Sequence, residues 1–375
     1  MTTGSQGSEL LPVSVITGFL GSGKTTLLAK LLKHPAVGQV ALIINEFGEI
    51  GLDHDLIRTS DETVVELNSG CLCCTVQSDL ATTLRGLFIR RAKGEVPSFS
   101  RVIIETTGLA DPAPILHTLM TDRMLEHYFR LDGIITLVDA VTGGRTMEVQ
   151  PEALKQAAVA DRIVISKADL SEADALQALR TRLRALNPSA PILEAVQGDI
   201  DPSAILEAGL YDPSRKSLDV QRWLREEAYH ADAHEDGHHH HGPHGHDVNR
   251  HDERIQAFCI RRQEPIGGAA MSFFLNLLTS QRGEDLLRVK GILNIAETPD
   301  TPMVIHGVQH LFHPPAVLDA WPSEDRDTRL VFITRDLPRS EIERLLDALT
   351  QPTGLDEAAA VLSSNPPREP EPEVL

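Results

Sequence analysis

The stretch Val13-Ser-Val-Ile-Thr-Gly18-Phe-Leu-Gly-Ser-Gly23-Lys24-Thr25-Thr26 decides how the first half of the chain folds. Val13–Thr17 is a short, mostly apolar run of the kind that makes a strand buried on both faces. Gly18–Thr25 fits the P-loop pattern G-x4-G-K-[ST] without deviation, and a helix-forming segment, Thr25–Lys33, begins at once. Strand, glycine-rich turn and helix in that order build a phosphate cradle. The glycines let backbone N–H groups curl around an anion at the positive end of the helix. Lys24 is placed to reach the β- and γ-phosphates, and the Thr25 hydroxyl to ligate Mg²⁺. The expected nucleotide-binding residues here are Gly18, Phe19, Leu20, Gly21, Ser22, Gly23, Lys24, Thr25 and Thr26.

Outward from this stretch, Val40–Asn45, Val64–Leu67, Arg101–Glu105, Gly133–Asp139 and Arg162–Ser166 repeat the apolar, β-branched pattern. Helical segments separate them, including one from about Ser78 to Ala92. Continuous apolar strands alternating with helices predict a doubly wound α/β domain with a mostly parallel sheet, residues 12–213. Residues 214–252 break the rhythm with HADAHEDGHHHHGPHGHDVNRHDE, a polar, His-rich linker. Residues 253–350 carry strand runs at Arg254–Arg261, Leu286–Asn294, Met303–Phe312 and Leu330–Thr334. With helices at Ala269–Thr279 and Arg339–Leu349, they predict a smaller α+β C-terminal domain. Segments 1–11 and 351–375 are expected to be disordered; from Thr353 the tail has five acidic residues against one Arg.

Composition sets the background. The chain has 375 residues and a formal charge of −19, from 54 Asp+Glu against 35 Lys+Arg. That balance argues against a nucleic-acid or anionic-membrane binder, which needs positive charge to replace counterions. Four Cys make no disulfide framework, residues 1–9 do not read as a secretory leader, and no apolar run reaches the roughly 18 residues of a membrane span. A cytoplasmic protein with reduced thiols is the expectation. The 16 His stand out against three Tyr, and nine of them fall between His230 and His251.

Two further motifs complete the nucleotide reading. Arg101–Gly108 reads RVIIETTG. Glu105 stands at a strand end, where an acidic residue holds Mg²⁺, and Gly108 where GTPases place a glycine whose N–H meets the γ-phosphate. Leu109 follows, so the water-orienting Gln of Ras-like enzymes is missing at that position; either intrinsic hydrolysis is slow or the water is held from elsewhere. Lys24, Thr25, Glu105 and Gly108 are the candidate catalytic residues. Ser166-Lys167-Ala168-Asp169 follows a strand as the guanine-selecting [N/T/S]-K-x-D does in GTPases. Asp169 would accept hydrogen bonds from N1–H and the 2-amino group of guanine. The Lys167 stem would lie on the base, and Ser166 replaces the commoner Asn.

The thiols form a cluster. Cys71-Leu-Cys73-Cys74 places three of the four Cys within four residues. Adjacent cysteines rarely pair with each other, and thiolates are ligands for Zn(II) and related ions. Structural zinc takes four protein ligands, commonly from two Cys/His pairs, and no second Cys pair exists here. The site is incomplete by itself, which suits metal that is carried and released. Glu46, within Asn45–Asp53 where a P-loop GTPase has its first mobile loop, is a candidate oxygen donor. His238, His239, His240, His241, His244 and His246 are candidate auxiliary ligands for loading or buffering.

GFLGSGKTT, INEFGEIGLD, ELNSGCLCCTV, IIETTGLADP and SKADL, in that order, resemble the CobW family of P-loop GTPases. RVKGIL (Arg288–Leu293) and HGVQHLF (His306–Phe312) resemble its C-terminal domain. The resemblance implies a metallochaperone using GTP and Mg²⁺. It binds Zn²⁺, with Co²⁺ the alternative, at the CxCC in the Mg-GTP state and passes the metal to a metal-requiring client protein on hydrolysis. A metal-sensing GTP switch that binds a partner without transferring metal is the second reading, and a P-loop kinase or ATPase the third. Client and oligomeric state stay open.

Overall fold

The computed structural model describes residues 10–44, 63–66, 74–206 and 254–350, with backbone alone for 63–66 and 74–79. The chain divides into two compact units, Met1–Trp223 and Leu224–Leu375. The expected N-terminal segment, His-rich linker and acidic tail fall almost wholly outside the described residues.

Seven strands make the sheet of the first unit: β1 (Leu11–Gly18), β2 (Val40–Ile44), β3 (Thr63–Glu66), β4 (Arg101–Glu105), β5 (Phe129–Asp139), β6 (Arg162–Ser166) and β7 (Ile192–Ala195). Their order is β3-β2-β4-β1-β5-β6-β7, and every pairing is parallel. The helices are α1 (Lys24–Lys33), α2 (Cys74–Ala92), α3 (Ala113–Thr121), α4 (Arg123–Tyr128), α5 (Gly143–Val149), α6 (Pro151–Val159), α7 (Ala173–Leu186) and α8 (Pro202–Ile205). All five residues of β2, β4 and β6 are buried, the polar ends of β4 and β6 included, as strands covered by helices on both faces are. α1 lays Leu27, Leu28 and Leu31 against Ile16, Leu42 and Ile135 of the sheet.

β1 starts two residues before the apolar run that announced it. Leu11 and Pro12 pair only with β5, at Phe129 and Arg130, whereas pairing with β4 begins at Val13. Pro12 therefore sits at the strand's start, where one neighbour is absent and its missing N–H costs least. α2 also starts earlier than expected, at Cys74 rather than near Ser78. The stripe that identifies it, Leu80, Leu84 and Leu87, is buried and lies further along, so its first turn carries no periodic signal.

This topology places the site. From β1 the chain crosses through α1 to β2 on one side, and from β4 it crosses to β5 on the other. The winding direction reverses between β1 and β4, and such a switch point opens a crevice at the carboxyl ends of the strands. The P-loop leaves β1 there and the Thr106–Pro112 segment leaves β4.

The second unit holds an antiparallel sheet of β8 (Ile255–Arg262), β9 (Leu286–Leu293), β10 (Met303–Val308), β11 (Leu311–Phe312) and β13 (Thr328–Arg335) in the order β11-β10-β9-β13-β8. β12 (Ala316–Val317) pairs with β10. α9 (Gly268–Arg282) and α10 (Arg339–Thr350) pack together and share a core with Phe258, Val289, Leu293, Leu330 and Phe332. The single strand expected over Met303–Phe312 is a hairpin instead. Val308 pairs with Leu311, leaving Gln309–His310 as the turn, and Gln309 takes the left-handed φ of 54°. Neither turn residue is a Gly, Asn or Asp, so the reversal left no mark in the sequence.

Candidate nucleotide site

The glycines of the P-loop are there for backbone reasons. Gly18, Gly21 and Gly23 have φ of 142°, 75° and 89°. A Cβ on Gly18 would lie 2.5 Å from the Leu137 carbonyl oxygen, so the loop's first residue must lack one. Gly23 caps α1 with no side-chain hydrogen bond, leaving the first N–H groups of the helix to an external acceptor. Lys24 Nζ donates to the carbonyls of Gly18 (2.8 Å) and Phe19 (3.3 Å), so the ammonium is folded over its own loop.

A cleft of about 540 Å³ opens beside this loop. Leu20, Gly21, Gly23, Lys24, Thr25 and Thr26 line it, facing Glu105, Thr106, Thr107 and Gly108, with Lys167 also on its wall. Four expected catalytic residues and most of the expected nucleotide-binding residues thus share one cavity. Thr25 supplies a hydroxyl and Glu105 a carboxylate, an all-oxygen donor set that fits Mg²⁺. Gly18, Phe19, Ser22, Ser166 and Asp169 are not on the cleft wall. Ser22 is buried, and Phe19 and Ser22 border a small cavity of about 20 Å³ beneath the loop.

The segment after β4 is fastened at several points. Thr106 donates from N–H to the Ile16 carbonyl (3.0 Å) and from its hydroxyl to Thr17 Oγ1 (2.8 Å), in the buried interior. Gly108 touches the P-loop: a Cβ there would lie 2.7 Å from the Leu20 nitrogen. Gln156 of α6, 1% exposed, donates from Nε2 to the carbonyls of Gly108 (3.2 Å) and Ala110 (2.9 Å). Lys155 Nζ reaches Asp111 Oδ2 at 2.5 Å. Leu109 is 54% exposed and brings no polar group to the cleft.

The β6 motif is tied to the P-loop through side chains. Ser166 Oγ donates to the Ser22 carbonyl (2.7 Å), which fixes the loop's far end. Lys167 takes a left-handed φ of 56° and its Nζ donates to the Gly21 carbonyl (2.8 Å) and to Asp139 Oδ2 (2.5 Å). Asp139, at the end of β5, also accepts from the N–H groups of Val141 (2.7 Å) and Thr142 (3.1 Å). Burial pushes the Asp139 carboxyl up, but the Lys167 bond and the two N–H bonds outweigh it and hold it below the usual carboxylate range. Asp169 is exposed in a 3-10 turn, Ala168–Leu170. The loop after β7 presses on the start of α1, where a Cβ on Gly198 (φ 76°) would lie 2.8 Å from the Thr26 carbonyl oxygen.

Cys71, Cys73, Glu46 and all six tract histidines lie outside the described residues. Cys74 is the first residue of α2, and its side chain lies outside as well. Among the described residues no group of three or more His, Cys, Asp or Glu could hold a metal ion, and no helix is long and apolar enough to cross a membrane. Cys259 is partly buried on β8, and burial pushes its thiol up, away from the reactive thiolate.

Motif reading did not find Gln156, Asp139 or Gly198. Gln156 had a signal: it is a polar residue inside the Ala153, Leu154, Ala157, Ala158 stripe that buries α6. Asp139 ends an apolar run as many strand-terminal acids do, and Gly198 follows a four-residue strand with no motif around it.

Comparison with known proteins identifies the family. The family model "CobW/HypB/UreG, nucleotide-binding domain" matches residues 12–194, and "Cobalamin synthesis protein cobW C-terminal domain" matches residues 255–350. Zinc chaperone YjiA of Escherichia coli (strain K12) is 32% identical over 335 residues, 88% of this chain and 96% of that protein. Zinc chaperone CobW of Sinorhizobium sp is 30% identical over 388 residues, covering 93% and 100%. The crystal structure of Zn(II)-bound YjiA GTPase from E. coli superposes with a TM-score of 0.66 at 25% identity, covering 92% of this chain and 99% of that one. With relatives aligned along most of the chain and models matched in both units, the chain belongs to the CobW family of P-loop GTPases.

Proposed function

We propose that this GTPase is a metallochaperone that binds Zn(II) at Cys71, Cys73 and Cys74 in the GTP state and yields it to a client protein after hydrolysis. The names of the relatives, zinc chaperones, support zinc as cargo; Co(II) shares the ligand preference and remains the alternative metal. The observation that carries the coupling is a helix contact. α3 begins at Ala113, directly after the segment that lines the cleft, and packs against α2, whose first residue is Cys74. A shift of the Thr106–Pro112 segment with nucleotide state has a packed route to α2, the helix that Cys74 opens.

In this reading Gly18–Thr26 cradles the phosphates and Lys24 leaves its loop carbonyls for the β- and γ-oxygens. Mg²⁺, held by Thr25 and Glu105, neutralises charge on those oxygens when bound. Gly108 N–H meets the γ-phosphate, and Ser166, Lys167 and Asp169 select guanine. Glu46 adds an oxygen donor to the three thiolates. The His238–His246 tract gathers metal loosely and feeds the tighter site.

Linkage supplies the test. If GTP tightens Zn(II) binding, Zn(II) must tighten GTP binding by the same factor. A coupling of about 1–3 kcal/mol, the usual size, is a 5- to 150-fold change. Zn(II) affinity is measured by competition with a chromophoric chelator, with a non-hydrolysable GTP analogue and then with GDP. Equal affinities in the two states refute the proposal. Metal retained by the protein in the presence of apo client after hydrolysis favours the sensing switch instead.

A further inference from the structure

We propose that Gln156 is a positioning residue for GTP hydrolysis, holding the Gly108 segment beside the P-loop from outside the cleft. The proposal rests on the reading that Gly108 meets the γ-phosphate. Gln156 lies in α6, away from the cleft wall, and its side chain is almost wholly enclosed. Its Nε2 supplies both protons to one loop, at Gly108 O and Ala110 O. Its own backbone carbonyl accepts from Thr136 Oγ1 of β5 (2.8 Å), so the helix that carries the amide is anchored to the central sheet. Gly108 is therefore held by two elements: it lies against the Leu20 backbone, and its carbonyl takes a bond from the Gln156 amide.

The chemistry explains why a clamp is needed. Leu109 offers no polar group at the place where other GTPases orient water, so this loop contributes through its backbone. A backbone N–H stabilises developing charge only if it is aimed before the reaction. An amide with two N–H bonds is suited to the task, since it can hold two carbonyls of one loop at once. The γ-phosphate is present in GTP and absent from GDP, so the clamp should affect turnover far more than GDP binding. The neighbouring Lys155–Asp111 pair adds a second tie between the same two elements.

The test uses the full chain. Gln156→Met keeps the length and shape of the side chain and removes both donors. It should lower kcat about tenfold, the equivalent of losing two ordinary hydrogen bonds, and leave KM for GTP and affinity for GDP within about twofold. Asn187→Ser is the control for damage to the helix. Asn187 Nδ2 bonds the carbonyls of Ala157, Ala158 and Ala160 at the end of α6 without touching the loop, so this variant should lower thermal stability and keep kcat. A kcat no lower in Gln156→Met than in Asn187→Ser overturns the proposal, as does an equal loss of GDP affinity. Gly108→Ala separates the two levels of the argument. Normal hydrolysis by it overturns the γ-phosphate reading and the proposal together; impaired hydrolysis beside an unimpaired Gln156→Met overturns the proposal alone. If Gln156→Met does not fold, Gln156→Asn, whose amide falls one methylene short of both carbonyls, takes its place with the same outcomes.

Discussion

Replacing Asp139 by Asn tests whether the P-loop and the guanine motif are held as one unit. Asp139 Oδ1 accepts from the N–H groups of Val141 and Thr142, and the amide oxygen of Asn can keep both bonds. Oδ2, which takes Lys167 Nζ at 2.5 Å, becomes an NH₂ facing an ammonium. The substitution thus removes one charged bond and little else. Hydrogen bonds to charged groups are worth about 1.5–3 kcal/mol. The Lys167 side chain is 39% exposed, so solvent screening brings the expected loss of stability to about 1–2 kcal/mol. With Lys167 no longer steered, guanine-nucleotide affinity should fall about tenfold, the equivalent of 1.4 kcal/mol. The pH dependence follows from the depressed carboxyl. A group whose folded pKa lies below its unfolded value, about 3.9 for Asp, stabilises fully above that value and loses the contribution as pH falls through the folded pKa. The stability gap between wild type and Asp139→Asn should therefore be open at pH 7 and close below about pH 4. Urea unfolding at both pH values, with nucleotide binding at pH 7, reads it. No gap at pH 7, or a gap undiminished in acid, refutes the reasoning.

Gly18→Ala should destabilise by about 3 kcal/mol and abolish nucleotide binding, because a left-handed φ costs a side chain about 1–3 kcal/mol and the new Cβ would meet Leu137 O at 2.5 Å. Unfolding midpoints and a fluorescent GTP analogue measure the two effects, and binding within twofold of wild type counts against the cradle. Asp169→Asn should lower GTP affinity about 100-fold by losing a paired, charged contact to the base, with ATP binding unchanged. A competition assay that still prefers GTP over ATP to the same degree removes Asp169 from base selection.

The parallel sheet was legible because burial on both faces writes itself as continuous apolar stretches such as VALII and the Val102–Ile104 centre of RVIIE. The P-loop was legible because its glycines answer to local backbone geometry, which a short motif can carry. Gln156 was harder to find because its partners are carbonyls far along the chain, and a carbonyl has no residue signature. The Gln309–His310 turn was missed for a related reason: Gln309 takes a left-handed φ without any of the residues that advertise it. The start of α2 was misplaced because the helix is recognised by Leu80, Leu84 and Leu87, which lie beyond its first turn. That error touches function, since the corrected start brings Cys74 into the helix.

The corrected start changes how the thiol segment can respond to nucleotide. A cysteine in a free loop could adapt to any geometry of the P-loop and would sense little. One in the first turn of a helix moves with that helix, and the positive end of a helix favours negative charge, which a metal-binding thiol must carry. α2 is fastened further along: Arg85 pairs with Asp122, and Phe88 stacks on Tyr128 at 4.0 Å. Those partners belong to the region of α3 and α4 that follows the cleft-lining segment. Packed helices shift between discrete arrangements instead of deforming smoothly. A change at Thr106–Pro112 that moves α3 must therefore either move α2 and Cys74 with it or break this packing. Cys71 and Cys73 directly precede the helix in sequence. In the proposed metallochaperone, nucleotide-dependent movement of α2 would change how Cys74 takes part in holding metal. The same geometry means that substitutions at the Arg85–Asp122 pair, which touch neither nucleotide nor metal, should weaken the coupling between them and leave each separate affinity nearly unchanged.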